Sequence, residues 1–186
     1  MTEEISLLPL TGRLPAGENA GLVSACRNGD LAAFEQLYAI HAGRMKSIAY
    51  HLLSDRSDAE DAVQETFLRI YRAMADFEGE AGFNPWMYRI LINCCRDAGR
   101  KRVRQAEAPL DDTAPASSNQ APLQVALKRA LCSIHPGHRM VFWLFEAEGF
   151  RHSEIAGILE IPEGTSRKWL FEAKRDLRRI LKEARI

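Results

Sequence analysis

The chain has 186 residues, 25 Lys plus Arg balanced by 25 Asp plus Glu, 46% hydrophobic and 8% aromatic positions, five His and four Cys. That length accommodates one or two modest domains, each with a small core. No apolar run approaches the roughly 20 residues of a bilayer span, and 46% hydrophobic content is too high for a disordered chain.

Met1 to Ala20 mixes Glu3 and Glu4 with short apolar stretches and has no basic region leading into an apolar one. No signal peptide is expected, and the cytoplasm is the default compartment. Residues 1–20 are read as an extension, either disordered or a regulatory arm. From Asn19 to about Arg104 the pattern is helical. Asp30 is an N-cap candidate for a helix carrying Phe34, Leu37 and Tyr38, and Ser57 or Asp58 starts another. In that second helix Val63, Phe67, Ile70 and Met74 form one core stripe, leaving Asp61, Gln64, Glu65 and Leu68 on the other face. A single exposed Leu ringed by polar residues has the character of a protein contact, although a solvated face has the same pattern.

Charge is segregated along the chain, which the zero total hides. Ser54 to Glu80 carries eight acidic and three basic residues, whereas Arg89 to Arg104 carries six basic residues and Asp97 alone. Ala75 to Asn84, with Gly79 and Gly82 between Phe77 and Phe83, reads as a loop, and Pro85 suits the first turn of the next helix. On that helix Met87, Ile90, Leu91 and Cys94 make an apolar face. Arg89, Asn93, Arg96 and Arg100 make a basic stripe continued by Lys101 and Arg102. Cations beside the aromatics Phe77, Phe83 and Trp86 suit single-stranded nucleic acid, which offers a phosphate for each charge and a π-face for each ring. Trp86 is assigned to the core; Phe77 is left between core and stacking platform.

Glu107 to Pro122 holds three Pro, several Ala and few large apolar residues, and reads as a linker, set at 105–122. Val125, Leu127, Leu131 and Ile134 give one amphipathic helix, ended by Pro136-Gly137. A second runs from Arg139 to Glu148 and closes at Gly149. Ser153 to Leu159, a turn through Glu160 and Ile161, and a long basic helix from about Pro162 form a helix-turn-helix, with Ala156 at the close approach and Ile161 and Leu170 in the wedge. The start of the last helix places Ser166, Arg167, Lys168 and Phe171 toward base edges, and Lys174 and Arg175 toward phosphates. A solvated basic helix of a small bundle is the plainer alternative. The expected architecture is all-α, with domains at 21–104 and 123–186.

Cys26, Cys94, Cys95 and Cys132 contain no C-x-x-C pair, and Cys132 with His135 and His138 matches no zinc spacing. Buried reduced thiols are expected, with no metal and no cofactor. No nucleophile-base pair or Gly-rich phosphate loop stands out, so neither an enzyme nor a small-molecule substrate is expected.

Asp58-Ala-Glu-Asp-Ala-Val-Gln-Glu-Thr-Phe67, Phe83-Asn-Pro-Trp-Met-Tyr-Arg-Ile90 with Asn93, and Glu148-Gly-Phe-Arg-His-Ser-Glu-Ile-Ala156 with Ile161-Pro-Glu-Gly-Thr165 resemble the region 2 and region 4 signatures of bacterial extracytoplasmic-function sigma factors of the sigma-70 superfamily. The resemblance spans about Gly21 to Leu181. It implies a promoter-specificity subunit of RNA polymerase, with region 2 at 21–104 and region 4 at 123–186. Asp61, Gln64, Glu65 and Leu68 would dock on core polymerase. The loop Asp76 to Phe83, Phe77 included, would capture a flipped base of the minus-10 element. Arg89, Asn93, Arg96, Arg100, Lys101 and Arg102 would hold the single strand. The helix from Thr165, with Ser166, Arg167, Lys168, Phe171, Lys174 and Arg175, would read the duplex minus-35 element. An anti-sigma partner is also implied, and no membrane insertion.

The chain departs from the family at His135, where Leu is usual, at Glu160 in place of Gly, and at Glu172 in place of Arg. Glu160 would take a left-handed conformation at a cost of about 1 kcal/mol. Glu172 would repel phosphate or select a cytosine amino group, and Trp169 would pack inward or reach the DNA backbone. Two other functions use the same residues: a two-domain helix-turn-helix regulator, and a sigma-mimicking adaptor that binds an anti-sigma factor.

Overall fold

The computed structural model describes residues 20–78, 82–106 and 130–183. The expected linker, the helical positions Val125 and Leu127, the extension before Ala20 and the loop tip at 79–81 lie outside the described residues. Among those described, every regular element is helical.

Helices α1 (Ala20–Arg27), α2 (Leu31–Leu53), α3 (Arg56–Ala73) and α4 (Phe83–Ala106) make the first domain. Asp30 caps α2 as expected, its carboxylate accepting from the Ala33 N–H at 3.1 Å. The cap of α3 falls earlier than Ser57: Asp55 accepts from the Asp58 N–H at 2.9 Å, so the helix begins at Arg56. Asp55 has the extended backbone of an N-cap and stands just outside the helix, where its carboxylate reaches a free N–H of the first turn, whereas Ser57 is already helical. Val63, Phe67, Ile70 and Met74 are all buried, and α2, α3 and α4 pack mutually around them. Helix α4 is enclosed on most sides, with Met87, Tyr88, Leu91, Ile92, Cys94 and Cys95 buried.

The second domain comprises the end of α5 (residues 130–133), α6 (Pro136–Phe142), which continues as one π-helical stretch through Trp143–Ala147, then α7 (His152–Leu159) and α8 (Glu163–Glu183). His135 caps α6, its Nδ1 accepting from the Gly137 N–H at 3.1 Å. The π-helical stretch ends at Glu148, and Gly149 takes φ 70°, a conformation open to glycine without strain. Packing of α8 on α6 and α7 buries Leu170, Ala173 and Leu177.

The two domains share one apolar cluster. It runs from Leu37, Met45 and Ile48 through Leu91 and Ile92 to Leu144, Ile155, Ile158 and Leu159, and a smaller cluster lies around Trp143, Ala173 and Leu177. Three of the four thiols are buried as expected. Cys132 is exposed, a correction: it sits on the outer side of α5, beside Ser54 at 3.7 Å. Burial pushes the Cys94 thiol up and the Cys95 thiol to about 12, so both stay protonated and unreactive near neutrality.

Candidate nucleic-acid and polymerase interfaces

Three helical faces carry the residues singled out by sequence. On α3, Asp61, Gln64 and Leu68 project outward, Leu68 being 51% exposed, and Glu65 is half-buried in an ion pair with Arg69 at 2.7 Å. Tyr71, 49% exposed, lies one turn along from Leu68. Sequence reasoning missed Tyr71, although the i, i+3 spacing from Leu68 signals it. The outward side of α3 is thus an apolar pair set among acids and amides.

Arg89 and Arg100 of the α4 stripe are exposed, and Asn93 and Arg96 are half-buried. Each of the arginines already has an oxygen partner. Arg89 is ion-paired to Glu160, Arg96 donates to the Asn93 side chain and to the Leu159 carbonyl at 3.3 Å each, and Arg100 meets Asp97 at 3.1 Å. Arg102 donates to the Leu53 carbonyl at 3.1 Å, and Lys101 is exposed. Phe77 is corrected: it is 9% exposed, 5.5 Å from Phe83 and 4.8 Å from Trp86 between ring centroids. These two aromatic neighbours bury the ring, so it packs here as part of the core.

On α8 the exposed residues are Arg167, Lys168, Phe171 and Arg175, with Thr165 and Lys174 half-buried. Phe171 is 65% exposed, with Arg167 and Arg175 four residues to either side. Lys174 pairs with Glu146 at 2.5 Å and lies over the Phe145 ring. Ser166 is corrected: it is fully buried, its hydroxyl 2.9 Å from His152 Nδ1, and so ties α8 to α7 without reaching a base. Burial lowers the pKa of His152, and the neighbouring Arg167 guanidinium lowers it further.

The three unusual residues now have positions. Glu160 adopts φ 58°, the left-handed conformation expected of it. Glu172 lies 3.1 Å from His138 Nε2 and 3.9 Å from Lys168 Nζ, so its carboxylate is shared between the packed side of α8 and the exposed basic side. Burial lowers His138 from the usual range while Glu172 opposes that shift. Trp169 packs inward against Gly137, where an added Cβ would come within 2.9 Å of the ring, and it lies between His135 and His138. Glycine at 137 is therefore what admits the indole.

Sequence reasoning gave no sign of one further group of polar residues. Tyr88 donates to Glu148 Oε2 at 2.6 Å, Arg44 lies 3.8 Å from the same oxygen, and Arg139 donates to the Leu52 carbonyl at 3.3 Å. All three contacts join the two domains across 60 or more residues of chain or through a shared carboxylate, and no periodicity reports such pairs.

Among the described residues, no cluster of His, Cys, Asp and Glu is arranged to hold a metal ion, and no helix is long and apolar enough to cross a membrane.

A small acidic-apolar face, a basic stripe and a basic helix-turn-helix on one all-helical scaffold are the layout of a protein with one surface for a protein partner and others for nucleic acid. Family models described as "Sigma-70 region 2" and "Sigma-70, region 4" match residues 37–105 and 124–177. The ECF RNA polymerase sigma factor SigM of Mycobacterium tuberculosis is 30% identical over 165 residues, covering 88% of this chain and 84% of the relative. The RNA polymerase sigma factor CarQ of Myxococcus xanthus is 35% identical over 163 residues, covering 84% and 94%. Among solved structures, the sigma factor RpoE of Bartonella quintana, in complex with the anti-sigma factor NepR, matches with a TM-score of 0.68 at 27% identity, over 80% of this chain and 96% of that one. The chain belongs to the extracytoplasmic-function family of sigma-70 factors. It is a promoter-specificity subunit of RNA polymerase, with core enzyme and promoter DNA as its partners.

Proposed function

We propose a division of labour among the three faces. The outward side of α3, with Asp61, Gln64, Glu65 and Leu68, docks on core polymerase. The α4 stripe of Arg89, Asn93, Arg96, Arg100, Lys101 and Arg102 holds the single-stranded minus-10 element. The exposed side of α8, with Thr165, Arg167, Lys168, Phe171, Lys174 and Arg175, reads the minus-35 duplex. Residues 21–104 and 123–186 are the two functional units, joined by 105–122. The protein works in the cytoplasm, contributes no catalytic centre, and is held in check by an anti-sigma factor.

The observation that carries this reading is the separation of the faces: an exposed Leu68 among acids on one helix, and an exposed Phe171 among cations on another. Phosphate repels the first and is drawn to the second. Either DNA contact is weak when it acts alone, and mounting both on core polymerase raises the effective concentration of each.

Paired substitutions in the full chain test the assignment. Replacing Gln64 and Glu65 by Ala should weaken core binding and leave minus-35 duplex binding unchanged. Replacing Arg167 by Ala should leave core binding intact and weaken minus-35 recognition by about 1 to 3 kcal/mol if the guanidinium meets a base. Loss of core binding in the Arg167 variant contradicts the assignment.

A further inference from the structure

We infer that Glu172 is a base-reading acid of the minus-35 helix, accepting from the amino group of a cytosine, with His138 as its positioning residue. The inference rests on the reading of α8 as the minus-35 helix and names one base that this helix selects. Glu172 directly follows the exposed Phe171 and lies one turn after Lys168, so it stands at the border between the basic face of α8 and the side packed on α6. Its two oxygens have different neighbours. Oε2 lies 3.1 Å from His138 Nε2, and Oε1 lies 3.9 Å from Nζ of Lys168, a side chain 70% exposed. At 3.9 Å the second contact is an ion pair without a hydrogen bond, so Oε1 keeps its lone pairs for a donor from outside.

The anchor leaves the carboxylate charged. The His138 ring sits 5.0 Å from the His135 ring and 5.8 Å from that of Trp169, and Gly137 makes room for the indole. His138 Nδ1 is buried and has no hydrogen-bond partner among the described residues. A neutral ring with its proton on Nε2 leaves only a lone pair at that place, whereas a protonated ring would bury an unsatisfied N–H. The lowered pKa of His138 runs in the same direction: burial and the charges of His135 and Arg175 outweigh Glu172 and Asp176. His138 thus donates from Nε2 without neutralising its partner. One oxygen of a fixed negative charge is tied down, and the other is turned toward the exposed side.

A carboxylate has acceptors only, which decides the base it suits. In the major groove cytosine offers an amino donor and no acceptor, adenine sets N7 beside its amino group, and guanine and thymine offer O6 with N7 or O4. Cytosine is therefore the base that meets Oε1 without repulsion. Phosphate is excluded as a ligand by charge. Lys168, with Arg167 and Arg175 exposed on the same face, offsets the repulsion between this acid and the DNA backbone, so one carboxylate is tolerated in a basic helix.

The test is full-length protein on core polymerase, transcribing a promoter library randomised across the minus-35 segment, with the initiated promoters sequenced. The unaltered chain should select cytosine at one position, and exchanging that cytosine for thymine in a selected duplex should weaken binding about 5- to 150-fold. Glu172→Ala should bring that ratio below about twofold and leave the other positions as they were. Glu172→Gln keeps an oxygen for His138 and gains an amide N–H, so it should move the preferred base at that position from cytosine to adenine, a change that a packing role would not produce. It also decides the matter if the Ala variant does not fold. His138→Phe should blunt the cytosine preference without changing the base. Base preferences unchanged in the Glu172 variants, or affinity lost evenly over all positions, overturn the inference and leave the minus-35 reading of α8 standing. An unaltered chain with no base preference anywhere in the segment removes that reading, and the role of Glu172 with it.

Discussion

Two basic helices, α4 and α8, carry similar charge patterns and have opposite structural situations. Helix α4 is the more deeply seated, with six residues from Met87 to Cys95 buried and Arg96 tied to the Leu159 carbonyl of the second domain. Helix α8 lies at the surface, burying Leu170, Ala173 and Leu177 and leaving Arg167, Lys168 and Phe171 to solvent. The difference teaches that a basic stripe reports which partner suits a face and says nothing of how deeply its helix is seated: Arg89 and Arg167 are both exposed and ion-paired, to Glu160 and Glu163, on helices of unlike burial.

The strongest way to break this comparison is to truncate a buried apolar side chain of one helix and an exposed one of the other. Leu91, fully buried in α4, should cost about 2 to 5 kcal/mol of unfolding free energy when replaced by Ala, through lost transfer energy and the cavity left behind. Phe171→Ala in α8 should change stability by no more than about 0.5 kcal/mol, because that ring is exposed, and should act on minus-35 binding instead. Urea denaturation and duplex binding on the two full-length variants check this. A large stability loss in the Phe171 variant would mean that α8 is as deeply seated as α4.

Acid sharpens the contrast next. His41 is fully buried in α2, 6.4 Å from the Phe83 ring at the start of α4, and burial, helped by Arg44, pushes its imidazole down to about 4 from an ordinary value of 6.5. Between these values the unfolded chain binds a proton that the folded one refuses, so stability falls as pH drops from 6.5 toward 4. The loss should approach about 3 kcal/mol at pH 4. Denaturation midpoints measured from pH 7 to pH 4 should show it. A His41→Leu variant should show a shallower decline, and an unchanged slope would remove His41 as the cause.

Most of the fold was legible because the first domain's signals are local. Asp30 capped where its position indicated, and Val63, Phe67, Ile70 and Met74 shared one buried face because a helix brings i, i+4, i+7 and i+11 together. The outward-facing residues of α3 were legible for the same reason. Ser166 and Phe77 were not. Each lies next to true surface residues in sequence, and each is drawn inward by a partner from elsewhere in the chain, His152 for the hydroxyl and Trp86 for the ring. Glu172 belongs with them, since only the packing of α6 on α8 puts His138 within reach. The Tyr88–Glu148 contact is the extreme case: 60 residues and the whole linker separate the two, and neither position is distinctive alone.

The smallest expected effect separates neighbours on α8 itself. Ser166→Ala removes a buried hydroxyl and leaves His152 Nδ1 without that partner, which should lower the stability of the full chain by about 1 to 2 kcal/mol. Lys168→Ala, two positions along and exposed, should leave stability within about 0.5 kcal/mol. Duplex binding should order them the other way. At a temperature where both are folded, the Ser166 variant should bind the minus-35 duplex like the unaltered protein, and the Lys168 variant should bind more weakly at low salt. The Lys168 variant should also lose about one unit from the slope of log affinity against log salt, the mark of one missing phosphate contact. A Ser166 variant with full stability and a reduced salt slope would return that residue to the DNA face and erase the inward turn that the His152 hydrogen bond gives it.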